Sequence, residues 1–234
     1  MNVIITGASR GLGFELVKKF AAKPENNVVA LSRNEQKLLR LKEECQNIYP
    51  HSNVFPIPFD ITSGAFEKLP RRMVDFEIQS IDILINNAGL LINKPFMELN
   101  ADDFDNLFEV NVKGAFRLIQ CLIPMMKTNS HILNISSMGG YQGSMKFPGL
   151  SLYSSSKGAI AIFTECLAEE LKEQSISANC LAIGAVQTEM LAEAFPGFKA
   201  PLSPSSMAEY ILEFATNGHH YYNGKILPVS LSTP

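Results

Sequence analysis

The chain has 234 residues, enough for one domain with a large core and too few for more than two small ones. Apolar residues make up 46% and charged residues 18%, which excludes a disordered chain. The formal net charge of −3 gives no reason to expect nucleic acid or an anionic membrane as a partner.

In chain order, short apolar runs alternate with longer helical patterns. The expected strands are 2–6, 27–32, 53–59, 81–86, 131–136, 176–182 and 225–229. Helical stretches fall near 11–22, 34–45, 64–77, 101–127, 154–173 and 205–216. Asn34, Ser63 and Asn100 stand where N-caps are expected. Strands as apolar as Ile81-Asp82-Ile83-Leu84-Ile85 predict burial on both faces. Strand–helix alternation of this kind predicts an α/β fold with a doubly wound parallel sheet of about seven strands, helices on both faces and one domain over 1–234. The stretch 190–206, rich in Pro, Phe and Ala, reads as irregular and belongs at the carboxyl edge of the sheet, where ligands bind.

The first strand runs through Thr6-Gly7-Ala8-Ser9-Arg10-Gly11-Leu12-Gly13 directly into a helix. Glycines here allow a tight turn and close approach to a pyrophosphate, and a helix N-terminus offers N–H donors to that anion. The bland alternative for such a triplet is a flexible turn. Four cysteines, Cys45, Cys121, Cys166 and Cys180, lie far apart, with no CxxC spacing. Buried free thiols in a reducing compartment are the better reading than a zinc or redox pair. The start of the chain shows no basic segment or cleavage site, and no apolar run approaches the roughly 18 residues of a membrane helix. A cytoplasmic location is therefore expected, with no membrane partner. His219-His220 is expected at the surface.

The G-x-x-x-G-x-G spacing resembles that of the short-chain dehydrogenase/reductase family, and the resemblance continues along nearly the whole chain. Asp60-Ile61, Asn86-Asn87-Ala88-Gly89, Asn111-Val112-Lys113-Gly114, Ile135-Ser136-Ser137 and Tyr153-x-x-x-Lys157 follow in the family's order and spacing. The family implies a Rossmann fold that binds NAD or NADP. It gives Gly7, Ser9, Arg10, Gly11, Leu12 and Gly13 to the pyrophosphate loop, Asp60 and Ile61 to the adenine, and Asn87, Ala88 and Gly89 to the floor of the cofactor site. An NAD enzyme of this fold carries an acid at the end of the second strand. Here Leu31-Ser32-Arg33 has none, and Arg33 with Arg10 offers two guanidinium groups to a 2′-phosphate, so NADP(H) is expected. Both arginines also read as solvated surface residues. Gly184, Val186 and Thr188 follow the sixth strand and are expected at the nicotinamide, although Ile183-Gly184 replaces the family's usual Pro-Gly.

Tyr153 and Lys157 share one helix face. A free phenol titrates near 10, and a neighbouring ammonium lowers that value toward one useful for proton exchange. The small Ser154-Ser155-Ser156 and Gly158-Ala159 around them read as room for a cofactor. The family makes Ser137 the residue that polarises the substrate carbonyl, with Ser136 competing, and makes Asn111 the holder of a relay water. The expected catalytic set is Asn111, Ser137, Tyr153 and Lys157, with no metal. The function implied is an NADP(H)-dependent oxidoreductase interconverting a carbonyl and an alcohol. The sequence names no substrate: a 3-oxoacyl compound or another apolar carbonyl compound stands among the candidates, and the net-acidic stretch Glu169-Glu170-Leu171-Lys172-Glu173-Gln174 speaks against docking of an acidic carrier. The alternative is a catalytically silent dinucleotide-binding regulator, which the intact Ser–Tyr–Lys set disfavours. An enoyl reductase or sugar epimerase fits the Tyr–Lys spacing and the chain length less well. Phe116, Ile119, Leu122, Ile160, Ile162 and Phe163 place apolar side chains on more than one helix face, so a homodimer or homotetramer is expected.

Overall fold

Seven short strands pair into one sheet because each is a β-branched or apolar run bounded by turn residues. The computed structural model describes residues 1–231; the last three residues of the expected 1–234 domain lie outside the described residues. The strands are β1 (Asn2–Thr6), β2 (Asn27–Ser32), β3 (Asn53–Pro58), β4 (Ile81–Asn86), β5 (Met126–Ser137), β6 (Ser177–Ile183) and β7 (Ile226–Val229). All pair in parallel, in the order β3-β2-β1-β4-β5-β6-β7. The prolines within strands, Pro56 and Pro58 in β3 and Pro228 in β7, stand on the two edges, where a missing N–H breaks no central ladder.

Side chains alternate across the sheet into two cores. Val3 and Ile5 join α1 (Gly11–Ala21), α2 (Glu35–Ile48) and α8 (Pro204–Asn217), whose Leu16, Leu38 and Ile211 are fully buried. Ile4 points the other way, to α3 (Leu69–Val74), α5 (Gly114–Leu122) and α6 (Ser151–Glu170). The chain leaves neighbouring β1 and β4 toward opposite edges, so a cleft opens at their carboxyl ends. No helix among the described residues is long and apolar enough to cross a membrane.

Several local expectations need correction. Ser63 does not cap a helix at 64–77. The Asp60 carboxylate accepts both the N–H and the hydroxyl of Thr62, at 2.9 and 2.8 Å, and this local turn displaces the helix start. Helical structure there is a 3-10 turn, Phe66–Lys68, followed by α3. The expected helix 101–127 is broken in two. α4 (Ala101–Phe108) starts with the Asn100/Asp103 capping box, a π-helical turn at Glu109–Lys113 contains Asn111, and α5 follows. Pro124 ends the run in a 3-10 turn, and β5 begins at Met126 rather than 131. The irregular stretch 190–206 contains a short helix, α7 (Glu189–Ala194), capped by the Thr188 hydroxyl. Cys45 and Cys180 are buried, but Cys121 is only partly so and Cys166 is exposed. His220 is exposed, whereas the partly buried His219 lies tilted against it and against the fully buried His131, with ring centroids 4.0 and 5.4 Å apart.

Candidate active site

The glycine loop sits at the carboxyl end of β1. Gly7 and Gly11 have φ of +68° and +58°, a region that favours glycine. Gly13 packs directly on the Gly7 carbonyl and the Asn87 amide, leaving no space for a Cβ. The N-cap of α1 is Arg10, whose side chain makes no capping bond, and the first turn holds no acid. Among the described residues its N–H donors therefore have no side-chain partner, which suits an anion. Ser32, at the end of β2, is buried, and its hydroxyl has no partner among the described residues. These two features fit a dinucleotide with a ribose near Ser32.

The other expected cofactor residues line the same edge. Thr6 joins β1 to the turn after β4. Its hydroxyl accepts the N–H groups of Asn87 and Ala88 at 3.0 and 2.9 Å, and Asn87 Nδ2 donates to its carbonyl at 2.9 Å. Asn87 and Ala88 thus brace the loop. A side chain on Gly89 would sit 3.3 Å from Lys157 Nζ and 3.4 Å from Asn111 Oδ1, so this glycine keeps the loop close above both. Partial burial pushes the Asp60 carboxyl up, but the Thr62 bonds, the Arg33 charge and a bond to Ser63 outweigh it, and the group titrates below its ordinary value. Ile61 packs on α5 where Gly114 has no side chain. Arg33 is exposed. The exposed Arg10 side chain reaches α7, with Nη1 3.3 Å from Glu189 and 3.2 Å from Glu193. At the far side, crowding at Gly184 comes from Ser230. Val186 bridges to Leu202, and the Thr188 methyl lies over Gly11.

Ser137, Tyr153 and Lys157 come together at the end of β5. The two candidate serines separate clearly. Ser136 is buried, and its hydroxyl donates to the Lys157 carbonyl at 2.6 Å. Ser137 accepts the Gly139 N–H at 3.1 Å, and its hydroxyl neighbours that of Tyr153. Contrary to the lowering expected from Lys157, burial raises the Tyr153 pKa, and the Ser137 hydroxyl opposes that rise. Lys157 Nζ lies 6.0 Å from the Tyr153 ring centroid and donates to the Ile135 carbonyl at 3.0 Å. Burial brings the Lys157 ammonium down to about 8, with nearby Cys180 pulling the other way.

Asn111 is held by three bonds. Its Oδ1 accepts Leu90 N–H at 2.8 Å, and its Nδ2 donates to Leu90 O and Ser156 Oγ, both at 2.9 Å. No direct bond links its side chain to Lys157; both amide protons are already committed, and one Oδ1 lone pair remains. Ser156 is therefore a buried partner of Asn111, not free space for a cofactor. The small residues of α6 serve a second purpose too: Gly140 packs on the backbone of Lys157 and Gly158.

Sequence reasoning missed a buried polar ladder under α6. Asn86 Nδ2 donates to Asn134 Oδ1 at 2.8 Å, and Asn134 Nδ2 donates to Thr164 Oγ1 at 2.9 Å. Period-two alternation places Asn134, Ser136, Cys180 and Ala182 on one face, and three polar or thiol groups there were the available signal.

A family model described as short chain dehydrogenase matches residues 1–197. An uncharacterized oxidoreductase of Staphylococcus aureus is 26% identical over 219 residues, covering 93% of this chain and 91% of that protein. An NADP-dependent 3-hydroxy acid dehydrogenase of Schizosaccharomyces pombe is 30% identical over 229 residues, covering 90% of this chain and 85% of that protein. A short chain dehydrogenase of Shigella flexneri, solved with NADP, superposes with a TM-score of 0.85 at 26% identity, covering 97% of this chain and 95% of that one. The parallel sheet agrees with these matches, and the chain belongs to the short chain dehydrogenase family of oxidoreductases.

Proposed function

We propose that the chain is an NADP(H)-dependent oxidoreductase that interconverts a carbonyl and an alcohol, with Tyr153 as acid and base. The observation that carries this reading is the meeting of Ser137, Tyr153 and Lys157 at the cleft beside an uncapped helix N-terminus. The choice of NADP(H) rests on the NADP-bound Shigella neighbour, the NADP-dependent Schizosaccharomyces relative and the absence of an acid at Ser32. The glycine loop from Gly7 to Gly13 would hold the pyrophosphate, Arg33 and Arg10 the 2′-phosphate, and Asp60 and Ile61 the adenine side. Asn87, Ala88 and Gly89 would form the floor, with Gly184, Val186 and Thr188 near the nicotinamide. The Thr188 hydroxyl accepts the Leu191 N–H, so its own proton is free to donate to a carboxamide. When bound, the cofactor supplies or accepts a hydride.

The chain's own groups handle the proton. At neutral pH Tyr153 is a phenol, its pKa raised by burial, which is the form that donates to a developing alkoxide. The Ser137 hydroxyl polarises the carbonyl oxygen beside it. The Lys157 ammonium favours the phenolate that remains. Asn111 fixes the turn at Leu90 and leaves one Oδ1 lone pair for a water that returns the proton. The whole chain acts as one catalytic domain in the cytoplasm. Its substrate is a small carbonyl or alcohol compound, apolar or 3-oxoacyl in character.

The test is a screen of carbonyl compounds for loss of NADPH and NADH absorbance, run beside Tyr153→Phe. Turnover with NADPH and a fall of about 10²- to 10⁴-fold in the variant are expected, the scale of a lost general acid. NADPH binding should survive that substitution. Equal use of both nucleotides overturns the cofactor choice, and unchanged turnover in Tyr153→Phe overturns the mechanism.

A further inference from the structure

Arg10 and α7 carry a contact that the glycine loop's expected role does not explain. Glu189 and Glu193 are four residues apart, on one face of a six-residue helix. Like charges at that spacing destabilise a helix, and here one guanidinium nitrogen bridges them. The helix is part of an excursion pinned at its base, where Gln187 N–H donates to Leu202 O at 2.9 Å and Val186 bridges to Leu202. The far end of α7 is held across the cleft: Asn93 Nδ2 donates to Ala194 O at 2.8 Å. The segment 187–202, the lid of the cleft in this reading, therefore has two tethers. Asn93 anchors it at the loop after β4, and Arg10 anchors it at the glycine loop.

We propose that Glu189 and Glu193 compete with the 2′-phosphate of the cofactor for Arg10, so that loading NADP(H) frees the glycine-loop end of the lid. The proposal rests on the reading of Arg10 as a phosphate ligand. A guanidinium binds carboxylate and phosphate oxygens with the same geometry, and the two carboxylates share Nη1 and offset its charge, so a phosphate that takes the Nη1–Nη2 edge bidentately must displace them. The Arg10 side chain is 42% exposed and the glutamates 61% and 67%, so each ion pair is weak and exchange is easy. Once Arg10 leaves, Glu189 and Glu193 repel each other, and among the described residues α7 keeps the Thr188 cap and the Asn93 tether. A nucleotide without the 2′-phosphate leaves the contact intact. The two glutamates thus set cofactor affinity and couple it to lid release.

The probes are adenosine 2′,5′-bisphosphate, which carries the 2′-phosphate, and 5′-AMP, which lacks it. Both are titrated calorimetrically into the full chain, the E189Q/E193Q variant, R10Q and the triple combination. E189Q/E193Q should bind the bisphosphate about fivefold tighter, the scale of two exposed ion pairs, with 5′-AMP unchanged. The gain should vanish in the R10Q background and shrink at high salt. In the native chain the bisphosphate, and not 5′-AMP, should speed amide hydrogen exchange across 189–194. If R10Q weakens the bisphosphate but E189Q/E193Q changes nothing, the competition is overturned and the phosphate role of Arg10 stands. If R10Q leaves bisphosphate affinity unchanged, Arg10 is not the phosphate ligand, and the proposal falls with that reading. A gain that persists in R10Q, or appears equally with 5′-AMP, marks a general field effect and also overturns it.

Discussion

Lys157 shows how a single residue can lower stability where the chemistry needs it. It is 6% exposed, and its ammonium makes one bond, to the Ile135 carbonyl, among those described. Burial brings its pKa from 10.5 to about 8. In the unfolded chain the group keeps its ordinary value. Between pH 8 and 10.5 the unfolded chain therefore holds a proton that the folded chain has lost, so this group's contribution to stability rises with pH across that window. Below pH 8 the full cost of burying the charge is present, about 3 kcal/mol. Lys157→Met removes the charge and keeps the packing volume, at the loss of one hydrogen bond of about 1 kcal/mol. The variant should melt about 5 °C higher at neutral pH, and the gain should fade as pH rises toward 10. Its turnover should nevertheless collapse, because the phenolate of Tyr153 loses its cation. Thermal melts at several pH values check this, and a variant that melts lower at pH 7 overturns it. The pair Tyr153 and Lys157 was legible in the sequence because helical spacing alone puts them on one face. The choice between Ser136 and Ser137 was not. Strand alternation turns them to opposite faces without saying which face meets the tyrosine, and only the packing of β5 on α6 decides that.

At the scale of elements, the lid is where sequence and structure differ most. Glu189–Ala194 has helix-forming residues and a Thr cap, but the Pro and Phe residues that follow hide a helix this short. Six of the seven strands are legible to within a residue or so because their apolar runs have no other stable use, whereas the polar start of β5, Met126 to Ser130, carries no such signal. The π-turn at Glu109–Lys113 was not legible, since its cause is tertiary: Asn111 must reach Leu90 and Ser156 at once. Within the lid, Leu191 and Phe195 are half-buried and Phe198 is exposed, and none of the three belongs to either core. Leu202, by contrast, packs against the core that holds α1 and α8. Phe195 is therefore available to an apolar substrate, and Leu202 is part of the lid's fixed base. Phe195→Ala should raise KM for an apolar carbonyl compound more than it lowers kcat, the signature of lost uniform binding. Its melting temperature should barely move. An unchanged KM with a clear loss of thermal stability would instead place Phe195 in the core.

Across the whole molecule, the apolar residues of the helix pair α5 and α6 divide between two uses. Ile119, Leu122 and Ile160 are buried in the chain's own core, which accounts for half of the excess noted in the sequence. Phe116 and Ile162 stay 43% and 59% exposed, and Phe116 meets Phe163 edge-on at 6.2 Å. Phe104 and Phe108 of α4 stack at 4.4 Å, with Phe104 also exposed. Exposed aromatics grouped in this way are poor company for water, whereas single exposed apolar residues are ordinary. A second copy related by a two-fold axis presents the same patch in return, and pairing covers both at once. We propose that the chain is a homodimer or a higher even assembly through this surface. Light scattering at micromolar concentration should give at least twice the chain mass. Phe116→Glu with Ile162→Glu should shift the protein to a monomer, because two like charges would face their copies across the axis. The fold should persist in that variant, since neither side chain is part of either core. A native chain that scatters as a monomer removes the argument, and the exposed aromatics then need another partner.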